Sequence, residues 1–444
     1  MKFGEGSLSR QAAFFFFLLL ALELYPGAGA YHAGFPFLIL GWVVLVIASF
    51  GKIKSIPFTE RWWALAIPFF AGLSLYSPRL KYVDFQRPVR FFMILLGINM
   101  ALAMIWCLFR IFRTNDEKFH QRRSLVFFSL CISVILAQAF AIYLVPKPWI
   151  DVFQNTTIAA DAILGGKNPY GIIYPDLYHG EYNYQPGFFY LPAVVYLSGF
   201  FRFLFGDYRY GLLVSNIISA FVFYSLGKRK ARHLGEDAAL LFLLFPLNYF
   251  CLSQGWVDSF VLSGLLLFYL WVEEGNWKSM LPFVLVLNSK HYAWLPLLFF
   301  TLAGGRDLKR GYWVKALSLG LLVAAPLVFL DIEAFMKNMF HYWEAEIRLD
   351  GLSLMAWLHH ELSLHPPAWI VLMLGALIVF CCIFRTALWL QRKVVSQESI
   401  MQNLLISLSG IFLFGKFASC NYYWFCAACA ILVAFHPETA KRSS

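Results

Sequence analysis

Apolar runs recur from one end of the chain to the other, and none of the stretches between them is long enough for a separate soluble domain. A helix needs about 20 such residues to cross a bilayer, and roughly fourteen runs are candidates, some of them short. The predicted fold class is therefore an all-α polytopic integral membrane protein. Composition agrees: 60% of the residues are hydrophobic and 14% charged, whereas soluble domains carry about a quarter charged residues. Phe, Tyr and Trp are abundant, as suits lipid-facing helices with Tyr and Trp at the interfaces.

The net charge of +11 does not mark a nucleic-acid partner, because the cations lie in short clusters between apolar runs. That is the positive-inside pattern, which sets topology. The most basic connectors, Lys52 to Arg61, Arg110 to Arg123, Lys228 to Arg232, Arg306 to Lys315 and Arg385 to Lys393, are placed in the cytoplasm. This forces residues 146–184 outside, since one span, 124–145, separates them from Arg123. Gln185 to Phe205 is then read as a helix lying along or dipping into the outer face rather than a simple span; Pro186 and Pro192 fit that reading. Residues 279–303 read as a short hairpin with Asn288-Ser289-Lys290-His291 at its tip. The first apolar run, Phe14 to Ala30, resembles a signal peptide, but the many spans downstream favour an uncleaved first helix. Three divisions follow: residues 1–123 as an N-terminal extension of about four helices, residues 124–436 as a membrane core with outer loops 146–209 and 331–366, and residues 437–444 as a cytoplasmic tail.

Eight cysteines lie mostly inside apolar spans. Cys426-x-x-Cys429 has no partner pair or nearby His, so small packing residues are the better reading than metal or redox chemistry. His359, His360 and His365 with Glu361 match no strong metal spacing, and no metal or other cofactor is expected.

The polar groups of the core gather on the outer face, where ionisable residues near lipid usually line a functional cavity. Asp151, just past the exit of the span 124–145, is a candidate general base; its alternative is a cap for the helix that follows. Lys290 and Lys416 are ammonium groups set in apolar sequence. Together they can hold a phosphate or pyrophosphate, while the alternatives are snorkelling or an ion pair with Asp258. His291 and His341 can position hydroxyls, and Tyr170 and Tyr184 can stack on sugar rings or form part of an ordinary aromatic belt. Gln254, Asp258 and Asn421 complete the candidate substrate-binding set. Asn155-Thr156-Thr157 is a glycosylation sequon that crowds this region.

The order of several segments resembles the GT-C superfamily of membrane glycosyltransferases. An outer-face Asp after a span is followed by AADAILGGKNPYG, YNYQPGFFYLP, FGDYR, a span and a basic turn, then by SQGWVDSF, NSKHYAWLP and KFASCNYYW. More narrowly these segments look like the polyprenyl-phosphate-mannose-dependent mannosyltransferase branch. The resemblance covers about residues 124–436. It implies a GT-C-like helical bundle with amphipathic helices in an outer loop, and inverting transfer of one sugar, mannose by expectation, from a polyprenyl-phosphate donor to a lipid- or glycan-linked acceptor. Asp151 matches the position of the family's base, and Lys290 and Lys416 fall where contacts to the donor phosphate are expected. Many relatives carry an acidic pair early in this loop; here Val152 follows Asp151, which implies action without a metal ion. The expected location is a bacterial inner membrane with the site on the periplasmic or extracellular side. Two rivals remain: a transporter or flippase of lipid-linked sugars, for which no internal repeat is visible, and an envelope polysaccharide polymerase or ligase using His341 and Arg348.

Overall fold

The computed structural model describes residues 8–28, 30–50, 61–112, 117–180, 186–272, 277–304, 308–344, 348–391, 396–415 and 418–435. Among them all regular structure is helical; an isolated bridge pairs Ala30 with Gly351. Five helices are long and apolar enough to cross a membrane: Val89–Ile111, Glu117–Leu144, Arg209–Lys228, Arg310–Leu330 and Leu372–Gln391. Arg232–Leu243 and Asn248–Gln254 pass the same test together, bent by 50°. Seven further apolar helices are of 10–17 residues, so about fourteen apolar runs do not yield as many full-length spans among the described residues. The segment read as a hairpin does divide, into Met280–Leu287 and Trp294–Gly304, with Asn288 to Lys290 between them.

The 50° bend has a local cause. Pro246 has no N–H to donate and its ring displaces the carbonyl one turn back. The carbonyls released at the break find side-chain donors: Gln138 Nε2 reaches Leu243 O at 3.0 Å and Asn248 Nδ2 reaches the same oxygen at 2.9 Å. Asn248 Nδ2 also donates to Phe242 O, and Trp424 Nε1 donates to Asn248 Oδ1, which orients that amide. A broken helix in lipid is tolerated when its freed peptide groups are satisfied in this way.

Packing divides the chain into two compact units. The first comprises Met1–Pro146, Ala220–Cys251 and Leu349–Ser444; the second comprises Lys147–Ser219 and Leu252–Arg348. The sequence boundary at 123/124 therefore has no counterpart in the packing. The reason is long-range: the first helix, Leu8–Gly27, packs on the last, Cys420–Phe435, and Arg10 pairs with Glu398 at 2.9 Å.

The first unit also buries two acids side by side. Arg110 donates to both oxygens of Asp237 (2.6 Å at the closest), and Arg123 meets Glu236 at 3.2 Å. The helix bearing these acids crosses Arg209–Lys228 at Gly227 and Gly235, where a Cβ on Gly227 would stand 2.8 Å from the Gly235 Cα. In the second unit Asp151–Leu164 packs against Pro192–Phe205, which in turn packs against Arg310–Leu330. The latter leaves Leu321 72% and Leu322 68% exposed, a surface suited to lipid.

Breaking the Arg110–Asp237 pair from one side is expected to be costly, because a buried charge is left uncompensated. Asp237→Ala should destabilise the protein by about 3–5 kcal/mol, whereas the apolar double change Arg110→Met with Asp237→Leu should recover most of that loss. Thermal unfolding of the purified protein in detergent, followed by loss of the monodisperse peak, checks both.

Candidate functional site

The second unit is organised around an extended segment, Pro186 to Leu191, which leads into the helix Pro192–Phe205. Two prolines and a glycine keep it out of a helix, so its peptide groups need partners elsewhere. They find them on four sides. Asn155 Nδ2 donates to Gly187 O (2.9 Å), and Phe188 N donates to Asn338 Oδ1 (2.8 Å). The Tyr170 hydroxyl donates to Tyr190 O (2.7 Å). Leu191 N reaches Ser289 O (3.0 Å), and Ala193 N reaches Asn288 O (2.8 Å). A side chain at position 187 would overlap Asn338 Oδ1, so the approach requires glycine. Asn338 also donates to Tyr170 O at 3.0 Å, which ties the Asn-Pro-Tyr turn into the same assembly.

Asp151 is the first residue of the helix Asp151–Leu164. The preceding residue, Ile150, supplies no side-chain cap; instead Asp151 Oδ1 accepts from Val152 N at 2.7 Å and from the Tyr178 hydroxyl at 3.3 Å. Asp151 is thus the first helical residue rather than the N-cap. The carboxylate sits at the positive end of a helix, where negative charge is favoured, and it remains half-buried rather than sealed in. One turn along the same face lies Asn155, whose Oδ1 is buried with no hydrogen-bond partner among the described residues. Asn155 is 6% exposed and its nitrogen bonds Gly187, so in this fold the sequon is closed to modification.

The turn after Phe205 fixes the Asp151 helix from another side. Gly206 adopts φ +73°, closing the helix before it. Asp207 receives two hydrogen bonds from the Arg209 guanidinium, which also donates to Ser253 O at 2.7 Å. Arg209 lies over the Phe153 ring at 4.5 Å and Tyr208 stacks on that ring at 5.9 Å, while the Tyr208 hydroxyl holds Gly255 O. Burial raises the Tyr208 phenol well above its usual range, so it stays a neutral donor.

Lys290 takes the ion-pair alternative. Its Nζ contacts both oxygens of Asp258 at 3.1 and 3.0 Å, the Tyr292 hydroxyl donates to the same carboxylate, and Lys290 and Asp258 are 6% and 1% exposed. Nζ also stands 5.1 Å from the Tyr190 ring. The lysine thus holds the hairpin tip to the start of helix Asp258–Val272 and to the extended segment. His291, next to it, is pushed toward the neutral form first by burial and then by the Lys290 charge. Gln254 is buried 4 residues before Asp258, with Nε2 lacking a partner among the described residues.

Tyr170 is 2% exposed and meets Phe335 edge-on at 4.9 Å, so its ring is a packing element rather than an open stacking face. Tyr184 and Lys416 lie outside the described residues, as does the side chain of His341, whose backbone belongs to helix Ile332–Glu344. Asn421 is buried in the first unit. His359 and His365 face each other through Nδ1 atoms 3.2 Å apart, and among the described residues no group of three or more His, Cys, Asp or Glu is placed to hold a metal ion. Sequence reasoning missed Asn155 as a contact residue, Asn338, and the Asp207–Arg209 pair. The Asp-x-Arg spacing beside Gly206 was a visible signal for the last, whereas the two asparagines carried none.

No protein-family model, curated protein or solved structure matches the chain.

The ion pair gives a sharp expectation. Lys290→Met alone strands the Asp258 charge and should cost about 3–5 kcal/mol, and adding Asp258→Leu should restore stability. Melting of the two variants against wild type decides it; a Lys290→Met protein as stable as wild type would remove the structural role.

Proposed function

We propose that the chain is an inverting glycosyltransferase that moves one sugar from a polyprenyl-phosphate donor to a hydroxyl of a lipid- or glycan-linked acceptor at the outer face of a membrane. The observation that carries this reading is Asp151: a half-buried carboxylate, aimed by a phenol and a peptide N–H, one turn from a buried amide oxygen without a partner among the described residues. Such a group can take the proton of an acceptor hydroxyl as its oxygen attacks the anomeric carbon. The bond from that carbon to the donor phosphate oxygen breaks on the opposite face, and the polyprenyl phosphate leaves with the electron pair. Configuration inverts, and the proton ends on Asp151.

The order of motifs and the abundance of membrane-length helices support the same reading. Mannose is the expected sugar, and the periplasmic or extracellular face of a bacterial inner membrane the expected setting. The ammonium of Lys290 already faces Asp258, so compensation of the donor phosphate falls to other cations, and Lys416 keeps that candidacy.

Removing the base while keeping its shape isolates the chemistry. Membranes holding wild type or Asp151→Asn are incubated with radiolabelled polyprenyl-phosphate mannose and native lipid extract. Transfer should fall by roughly 10²–10⁴-fold in the variant with no change in melting temperature. Equal transfer by both removes Asp151 from the mechanism, and no transfer by folded wild type counts against this donor.

A further inference from the structure

A cavity of about 400 Å³ opens in the second unit, away from the Lys290–Asp258 pair. Tyr170, Tyr174, Phe189, Asp331, Lys337 and Asn338 are among the residues that line it. Its volume lies at the lower end of the roughly 300–1,000 Å³ range of small-molecule sites, room for a ring or a pair of rings but not for a folded partner. Gly187 joins it to the Asp151 helix: the residue lines the cavity and its carbonyl is held by Asn155.

The chemistry of the walls selects the ligand. Asp331 Oδ1 caps helix Ile332–Glu344 by accepting from Ala334 N at 2.9 Å. Its Oδ2 has no partner among the described residues and points toward Gly171, where an added Cβ would stand 3.3 Å away. Glycine there leaves the oxygen open to the cavity. Lys337 lies one face further along the same helix, exposed at the rim. A carboxylate acceptor and an ammonium donor in a cavity lined also by Phe189 and Ile173 suit vicinal hydroxyls on a ring with an apolar face. A phosphate would meet the Asp331 charge. One lining residue is apolar and open: Ile173 is 95% exposed, a contact for the hydrocarbon next to a bound sugar ring.

We propose that this cavity binds the neutral sugar head of a lipid-linked saccharide, with Asp331 accepting its hydroxyls, and that it is the acceptor subsite. Only the word acceptor rests on the glycosyltransferase reading; the binding of a sugar stands apart from it.

The test uses the full chain in lipid nanodiscs with no donor present. Saturation-transfer NMR reads contact with a short-chain alkyl mannoside, an alkyl glucoside, free mannose and inorganic phosphate. The alkyl glycosides should show transfer to their ring protons, more strongly than free mannose. Asp331→Asn, which keeps the cap, and Gly171→Ala, which crowds Oδ2, should each weaken binding at least tenfold. Equal glycoside binding by wild type, Asp331→Asn and Gly171→Ala overturns the proposal. So does phosphate binding that is lost in Lys337→Met while glycosides fail to bind, which would make the cavity an anion site. Sugar binding without any transfer activity would retain the subsite and reject the enzyme. If transfer occurs and Asp331→Asn leaves the acceptor KM unchanged, the enzyme stands and its acceptor subsite lies elsewhere.

Discussion

The second unit depends on one constraint: a non-helical stretch of backbone in apolar surroundings must have every peptide group satisfied by protein. Pro186 to Leu191 cannot use its own helix, so it draws on the Asp151 helix, the Asn-Pro-Tyr turn, the Ile332–Glu344 helix and the hairpin tip. These are the elements that carry the candidate chemistry. Their mutual positions are therefore fixed by backbone hydrogen bonds, which are less forgiving of displacement than apolar contact. The same logic operates in the first unit on a smaller scale, where Gln138 and Asn248 satisfy the carbonyls freed by Pro246.

Buried charge follows a parallel rule. Lys290 lies against Asp258, Arg209 against Asp207, Arg110 against Asp237, and Arg123 against Glu236. Desolvation makes each partner costly alone, and the pair tolerable only with additional hydrogen bonds. Tyr292 adds one to Asp258, and Ser253 O takes one from Arg209. A pair of this kind contributes little net stability but narrows the geometries open to the elements it joins, here the hairpin tip and the Asp258 helix. This is why a lysine in apolar sequence does not by itself announce a ligand.

Sequence patterning exposed what depends on composition and on local chain chemistry. Apolar run length indicated helices, and the Asn-Ser-Lys-His interruption marked the break between Met280–Leu287 and Trp294–Gly304. Run length overstated the number of full spans, because several apolar stretches are cut by proline or end after 10–17 residues. What could not be read were contacts between distant positions. Asn155 lies 32 residues from its partner Gly187, and Asn338 lies 150 from Phe188. Both are uncharged residues, and the sequon at Asn155 says nothing of Gly187; only the fold gives them this role. The choice at Lys290 was likewise open, since its spacing from Asp258 matches no local rule.

Asn155 and Asn338 also hold a single segment from two helices. Gly187 and Phe188 are adjacent in the chain, yet the first is held by the Asp151 helix and the second by the helix that walls the cavity. The two helices are thus joined through one peptide unit and two short asparagine side chains. A carboxylate that must meet an acceptor hydroxyl needs its position fixed relative to whatever holds that acceptor, because reactive alignment is lost over distances of about 1 Å. Placing both anchors on consecutive residues is the shortest covalent route to that alignment. It accounts for the glycine at 187, where an added Cβ would displace Asn338 Oδ1 from the Phe188 N–H.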